Sequence, residues 1–283
     1  MKKSTLALAV ATLAVGVAGT WSAVTQQSKA AASGSTASLE ARIAELEKKV
    51  VLVQDVQDIY NLQNAYGYYL DRSLFDDVSD LFADDAVVEI NARGVYKGKN
   101  VRNLFKGAMG EGENGLRFGR VNTHMQLQGV VHVDPDGKNA KGRWRSFAML
   151  GSAGRNGKPG FGMWSEGVYE ITYRKYNGRW MFQTMRWDPM LNAEFHQGWD
   201  RPLTAQEESL VPGATPVAAA APAGSPGAAG QASVVQGANL NQRFPPDAPP
   251  TRRIKPFPEI EVLPFHYPNP VTGKPTVIPE PRP

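Results

Sequence analysis

The sequence predicts an α+β fold: a long helix under a curved antiparallel sheet, followed by an extended Pro-rich tail. Three observations carry this. Apolar residues recur at helical spacing from Leu39 to about Arg72. Four long β-rich segments with Gly-containing turns crowd into residues 120–188. Beyond Pro202 the chain turns to Ala, Gly and Pro. Helices and strands are therefore segregated along the chain rather than alternating, which argues against a parallel α/β sheet.

The elements follow in order. Met1-Lys2-Lys3 precedes an apolar run at residues 6–17, the pattern of a secretory signal occupying residues 1–30. The run is shorter than the roughly 20 residues of a membrane span, so export to the periplasm or beyond is expected rather than anchoring. Residues 33–38 (SGSTAS) read as a polar hinge. Leu39, Ile43, Leu46, Val50 and Val53 then step by three and four, as a coiled-coil seam or as a face packed on the domain. FDDVSDLFADD forms a second short helix that buries Val78, Leu81 and Phe82. AVVEINA (86–92) and GVYKGK (94–99) form a hairpin, and a third helix carries Val101, Leu104, Phe105 and Met109. Strands follow at 120–134, 141–151, 161–176 and 178–188, the last pair joined by the Asn177-Gly178 turn. One domain is thus expected over residues 39–202, a low-complexity linker over 203–243 and a Pro-rich arm over 244–283. Pro bars the arm from helix and central strand. Its apolar residues fit an extended segment laid on its own or a neighbouring subunit's surface, the alternative being disorder.

Composition excludes several function classes. With no Cys, there is no disulfide, thiolate chemistry or lipid attachment through Cys. The net charge of +4 falls to 4 − 3 = +1 once Lys2, Lys3 and Lys29 leave with the signal, so electrostatics give no reason to expect a nucleic-acid partner. Gly110 to Gly115 formally match a dinucleotide-binding pattern but follow a helix and carry two acids. His124, His132, His196 and His266 lack metal-ligand spacing, and no GxSxG is present. No cofactor or metal is expected.

YGYYLDRSLFDDVSDLFADDAVVEI, NTHMQLQGVVHVDPDG and GVYEITYRKYNGRWMFQTMRWDP together resemble the SnoaL-like family of the nuclear transport factor 2-like superfold, over about residues 40–200. The resemblance implies a cone-shaped α+β barrel with an apolar cavity at its wide end. Members include polyketide cyclases, scytalone dehydratase and bile acid 7α-dehydratase. It implies an acid–base core of Asp71, in Leu-Asp-Arg, and His124, in NTHMQ, with Tyr66 matching a catalytic Tyr of the bile acid enzyme. The chemistry fits the residue types. Proton transfer beside a carbonyl needs a group that titrates near neutrality, which His supplies, and a carboxylate that can support its charge. The strand 141–151 departs from the dehydratases, offering Arg143, Arg145 and Ser146 where they carry Asp or His.

Arg145, Phe147, Trp164 and Trp187 are the candidate substrate-binding residues. Each candidate also has a plain structural role: Asp71 as a helix cap, His124 and Tyr66 as core, the tryptophans as packing. Alternation sets Arg145, Phe147 and Met149 on one face and Trp144, Ser146 and Ala148 on the other, without saying which is inside. The expected function is a cofactor-independent dehydratase, isomerase or cyclase for a small apolar or polycyclic carbonyl compound, working as a homo-oligomer (dimer or trimer) held by the N-terminal helix or the arm. The alternatives are a non-catalytic periplasmic binding or assembly module and, third, a scaffold subunit like the β chain of ring-hydroxylating dioxygenases.

Overall fold

The computed structural model describes residues 4–208 and 243–279, with side chains from Thr36 onward except at 205 and 206. Nearly all of the expected linker and the side chains of the expected signal lie outside the described residues. The chain divides into two compact units, Met1–Gln54 and Asp55–Pro283.

Helix α1 (Ser4–Asp71) supplies the described part of the first unit and continues into the second. It runs without a break through residues 33–38, where the sequence predicts a hinge. The one glycine there, Gly34, costs a helix about 1 kcal/mol, which its helical flanks absorb. Among the described residues no helix is long and apolar enough to cross a membrane.

In the second unit α2 (Phe75–Asp80) leads into β1 (Phe82–Ile90), and β2 (Val95–Lys97) folds back antiparallel to it. Helix α3 (Asn103–Met109) is wound as a π-helix. The meander β3 (Arg120–Val133), β4 (Asn139–Ser152), β5 (Phe161–Tyr176) and β6 (Arg179–Glu194) completes the sheet. The strand order is β2-β1-β6-β5-β4-β3. Every neighbouring pair is antiparallel except β1 and β6, which run parallel from Val87↔Thr184 to Ile90↔Trp187. β1 begins four residues before the expected AVVEINA, taking Phe82 into the sheet instead of into a helix.

Residues 55–71 of α1 lie on the inner face of this sheet, and the core explains why. Ile59, Gln63, Tyr66 and Leu70, at alternating steps of four and three, are all buried. Tyr66 sits edge-on to Phe82, Phe105, Tyr169 and Phe182. Rings of this size bring about 1.5–3 kcal/mol each when buried. Gly129 lets β3 close over the core, because a Cβ there would fall 2.3 Å from the Trp144 ring. Trp144 in turn packs edge-on against Tyr60 with centroids 4.7 Å apart.

The outer face carries charge. Arg143 pairs with Glu170 and Arg145 with Glu166 across β4 and β5, and Arg186 reaches Glu89 at 3.4 Å. The Pro-rich arm lies on this face of its own unit. Ala248 bridges to Val95, and Thr251 donates its backbone N–H to Glu89 at 2.7 Å. Phe257 donates its backbone N–H to the Met190 carbonyl at 2.7 Å. Arg143 donates to the Leu263 and Pro264 carbonyls at 2.9 and 3.1 Å and lies over the Phe265 ring. Leu263 is buried, and His266 meets Glu170 at 2.9 Å. Residues 263–266 and the sheet residues Val87, Lys141 and Thr184 line a hollow of about 520 Å³.

Candidate active site

His124 stands on β3 opposite Ala148 of β4. Directly opposed residues share a face, and the buried β4 residues Trp144, Ser146 and Ala148 alternate along the strand, so His124 faces inward. Asp71 is the last residue of α1. Its carboxylate accepts the backbone N–H of His124 at 2.6 Å. The pair therefore meets, but through the histidine's main chain instead of its ring. Asp71 does not cap α2: Leu74 donates its N–H to the Tyr69 carbonyl, and the side chain that accepts a first-turn N–H, that of Asp76 at 3.0 Å, is Asn114.

The His124 ring is held neutral. Its Nδ1 is buried and has no hydrogen-bond partner among the described residues. Burial pushes the imidazole pKa down to about 4, against the opposing pull of the Asp71 charge and the Asn122 backbone. At neutral pH the ring therefore keeps a free lone pair, but it titrates below the near-neutral range that the sequence leads one to expect of a proton-transfer histidine, which makes it a weak acceptor.

A run of hydrogen bonds fixes this arrangement to the core. The Trp144 indole donates to the Tyr173 hydroxyl at 2.8 Å, and that hydroxyl donates to Gln63 Oε1 at 2.9 Å. Gln63 donates to Gln126 Oε1 at 2.8 Å, and Gln126 donates to the His124 carbonyl at 3.2 Å. Both main-chain groups of His124 are thus held, one by Gln126 and one by Asp71. The helix comes this close to β3 because position 67 is glycine: a Cβ there would fall 2.9 Å from Gln126 Cγ and from the His124 carbonyl oxygen. Gln63, Gln126, Tyr173 and Gly67 escape the sequence reading, although Gln126 shares a strand face with His124 by simple alternation and Gln63 lies on the helical stripe.

Four of the expected site residues, Tyr66, Arg145, Phe147 and Trp164, lie apart from this pair. Tyr66 is sealed in the aromatic core, its hydroxyl 3.4 Å from that of Tyr169, and burial pushes its pKa well above the ordinary tyrosine value. Helix geometry accounts for this, since five residues turn the helix by about 500°, which leaves Tyr66 and Asp71 about 140° apart. Arg145 and Phe147 are on the outer face, where Arg145 pairs with Glu166 and donates to Gln128 at 2.7 Å. Trp144 sets that phase: its indole is committed to Tyr173 inside, so its neighbour Arg145 must point out.

Trp164, opposite outward-facing Met149, is half-buried and stacks with Phe195 and Trp199. Trp187 is the substrate-binding candidate on the inner face, donating to the Ser146 hydroxyl at 2.7 Å. Among the described residues no group of three or more His, Asp or Glu is arranged to hold a metal ion.

The family model described as the SnoaL-like domain matches residues 52–186. No curated protein matches the chain significantly. Similar solved structures include a putative scytalone dehydratase from Novosphingobium aromaticivorans, 17% identical over 52% of this chain and 92% of that one, with a TM-score of 0.43. A protein of unknown function from Mycobacterium tuberculosis is 16% identical over 67% of this chain and 89% of its own, with a TM-score of 0.42. A hexachlorocyclohexane dehydrochlorinase from Novosphingobium barchaimii is 15% identical over 52% and 92%, with a TM-score of 0.39. Residues 52–186, which contain both Asp71 and His124, belong to the SnoaL-like domain family.

Proposed function

We propose that this chain is an acid–base enzyme that moves a proton on a small apolar or polycyclic carbonyl compound. His124 is the general base. Its ring takes a proton from the carbon beside the carbonyl, leaving an enolate and an imidazolium. Asp71, already bonded to the same residue's main chain, stabilises that imidazolium. Return of the proton to a departing hydroxyl completes a dehydration; return to a different carbon completes an isomerisation; attack of the enolate on a second carbonyl closes a ring. The observation that carries this reading is the neutral imidazole whose enclosed Nδ1 has no partner among the described residues, next to a carboxylate. Tyr66 and Arg145 are left out of the chemistry, the first because it is sealed in core, the second because it is on the outer face. Trp187 offers an aromatic surface on the inner face. The basic start and the apolar run at 6–17 support action outside the cytoplasm.

The test follows α-proton exchange in D₂O, by NMR, over a panel of cyclic and polycyclic ketones. Exchange catalysed by the wild-type chain is expected to fall about 10²–10⁴-fold in His124→Ala, with an unchanged circular dichroism spectrum. Equal exchange by the two proteins overturns the assignment.

A further inference from the structure

The first unit carries an apolar seam with a strict register. Leu39, Ile43, Leu46, Val50 and Val53 alternate steps of four and three along α1, a heptad with Ile43 and Val50 at a and Leu39, Leu46 and Val53 at d. All five are more than half exposed, from 53% at Leu39 to 71% at Val53. Scattered apolar residues on a surface are ordinary, but five in heptad register on one helix face are a seam that has no partner among the described residues. The residues beside it say what the partner is. The e positions are Glu40, Glu47 and Gln54, and the g positions are Arg42 and Lys49.

We propose that the occupant is a second copy of this chain, its helix running parallel and in register over residues 39–54 to form a two-stranded coiled coil. In that arrangement each g position faces the e position of the next heptad on the other helix. Arg42 then meets Glu47 of the partner subunit, twice by symmetry, and Lys49 meets the neutral Gln54 of the partner subunit. An antiparallel pairing would set e against e and g against g. Glutamates would then oppose glutamates, and Arg42 would oppose Lys49 of the partner subunit, so the charges select the parallel orientation. β-Branched residues at both a positions, with leucine at two of the three d positions, favour two strands over three. Lys49 is engaged within its own helix by Glu45 at 2.7 Å, but both side chains are largely exposed and the pair can rearrange at little cost.

The natural absence of cysteine makes the test direct. Leu39→Cys and Val53→Cys are made separately in the full chain, checked by circular dichroism, and oxidised mildly alone and as an equimolar mixture. Unmodified chain is weighed in parallel by sedimentation equilibrium. Each variant is expected to cross-link to itself, and the unmodified chain to have the mass of two copies. Cross-linking in the mixture alone would reveal an antiparallel pair. No cross-link in either variant, whatever the mass, would show that the seam does not pair, and a mass of three copies would exclude two strands. Any of these three results overturns the proposal.

Discussion

The two faces of the sheet are built from the same strands and use opposite chemistry. Along β4, Trp144, Ser146 and Ala148 point in, while Arg143, Arg145 and Phe147 point out. The inner face is closed by aromatic packing and by neutral hydrogen bonds running from Trp144 to His124. Its titratable candidates are shifted by burial, so that His124 stays neutral and Tyr66 stays protonated. The outer face is closed by ion pairs and by a docked segment that shares those charges. A proton is easiest to control where there is little water and few charges compete, and Asp71 is the charge whose pull is felt at His124. In the proposed function the chemistry therefore belongs to the inner face, and the outer charges are given a structural task.

This contrast can be broken at several points. The largest expected effect is on acid stability. His124 titrates at about 4 in the folded chain against 6.5 for the free side chain. The unfolded chain therefore binds the proton first as pH falls. The stabilisation tied to the neutral ring is complete above pH 6.5, is lost progressively down to about pH 4, and amounts to roughly 3 kcal/mol. Urea unfolding at pH 7 and pH 4.5 should show that slope, and His124→Gln should flatten it. The same shift predicts that the acid limb of any pH–rate profile lies near 4 instead of near 6.5.

A smaller effect is expected at Gly67. Alanine gains about 1 kcal/mol in helix propensity there, but its Cβ would strike the His124 carbonyl oxygen, a backbone atom that can yield only if β3 moves. Overpacking of this kind costs about 1–3 kcal/mol, so Gly67→Ala should lower stability by about 1 kcal/mol net and reduce proton exchange along with it. Denaturant midpoints and the D₂O assay read both. The smallest effect belongs to the outer face. The Arg145 side chain is 41% exposed in its pair with Glu166, and Arg145→Ala should cost less than about 1 kcal/mol and leave exchange rates untouched. A large loss of exchange in Arg145→Ala would mean the faces are coupled more tightly than their geometry indicates.

Sequence and structure agree best where a pattern is local. The four strands of the meander and the Asn177-Gly178 turn are legible because alternation and turn chemistry are properties of a few adjacent residues. Phe82 is harder, since Leu81 and Phe82 continue a helical spacing, and the pairing of Phe82 with Phe182 is what draws it into β1. β6 extends to Glu194, six residues past its expected end, because Met163, Trp164 and Ser165 of β5 are there to pair with it. The inward phase of β4 depends on Tyr173 and Gly129, which are distant in sequence, so Arg145 and Phe147 could not be oriented from their own segment. Asp71 and His124 come together in the reading through family resemblance. The main-chain bond that joins them is set by the close approach of α1 to β3, which nothing in either segment announces.

The arm's docking has a consequence for how the protein matures. Its contacts join residues far apart in the chain: Tyr96 with Phe244, Glu89 with Thr251, Arg143 with Leu263. A ribosome delivers the N-terminal part first, and every strand has emerged before any of these partners exists. The sheet can therefore complete its inner face while the outer one is still bare, its charges exposed to water. The arm arrives last, as a long-range closure that is entropically slow compared with the hairpins. The paired arginines and glutamates suit that interval, because a charged outer face stays soluble and resists sticking to neighbours while it waits.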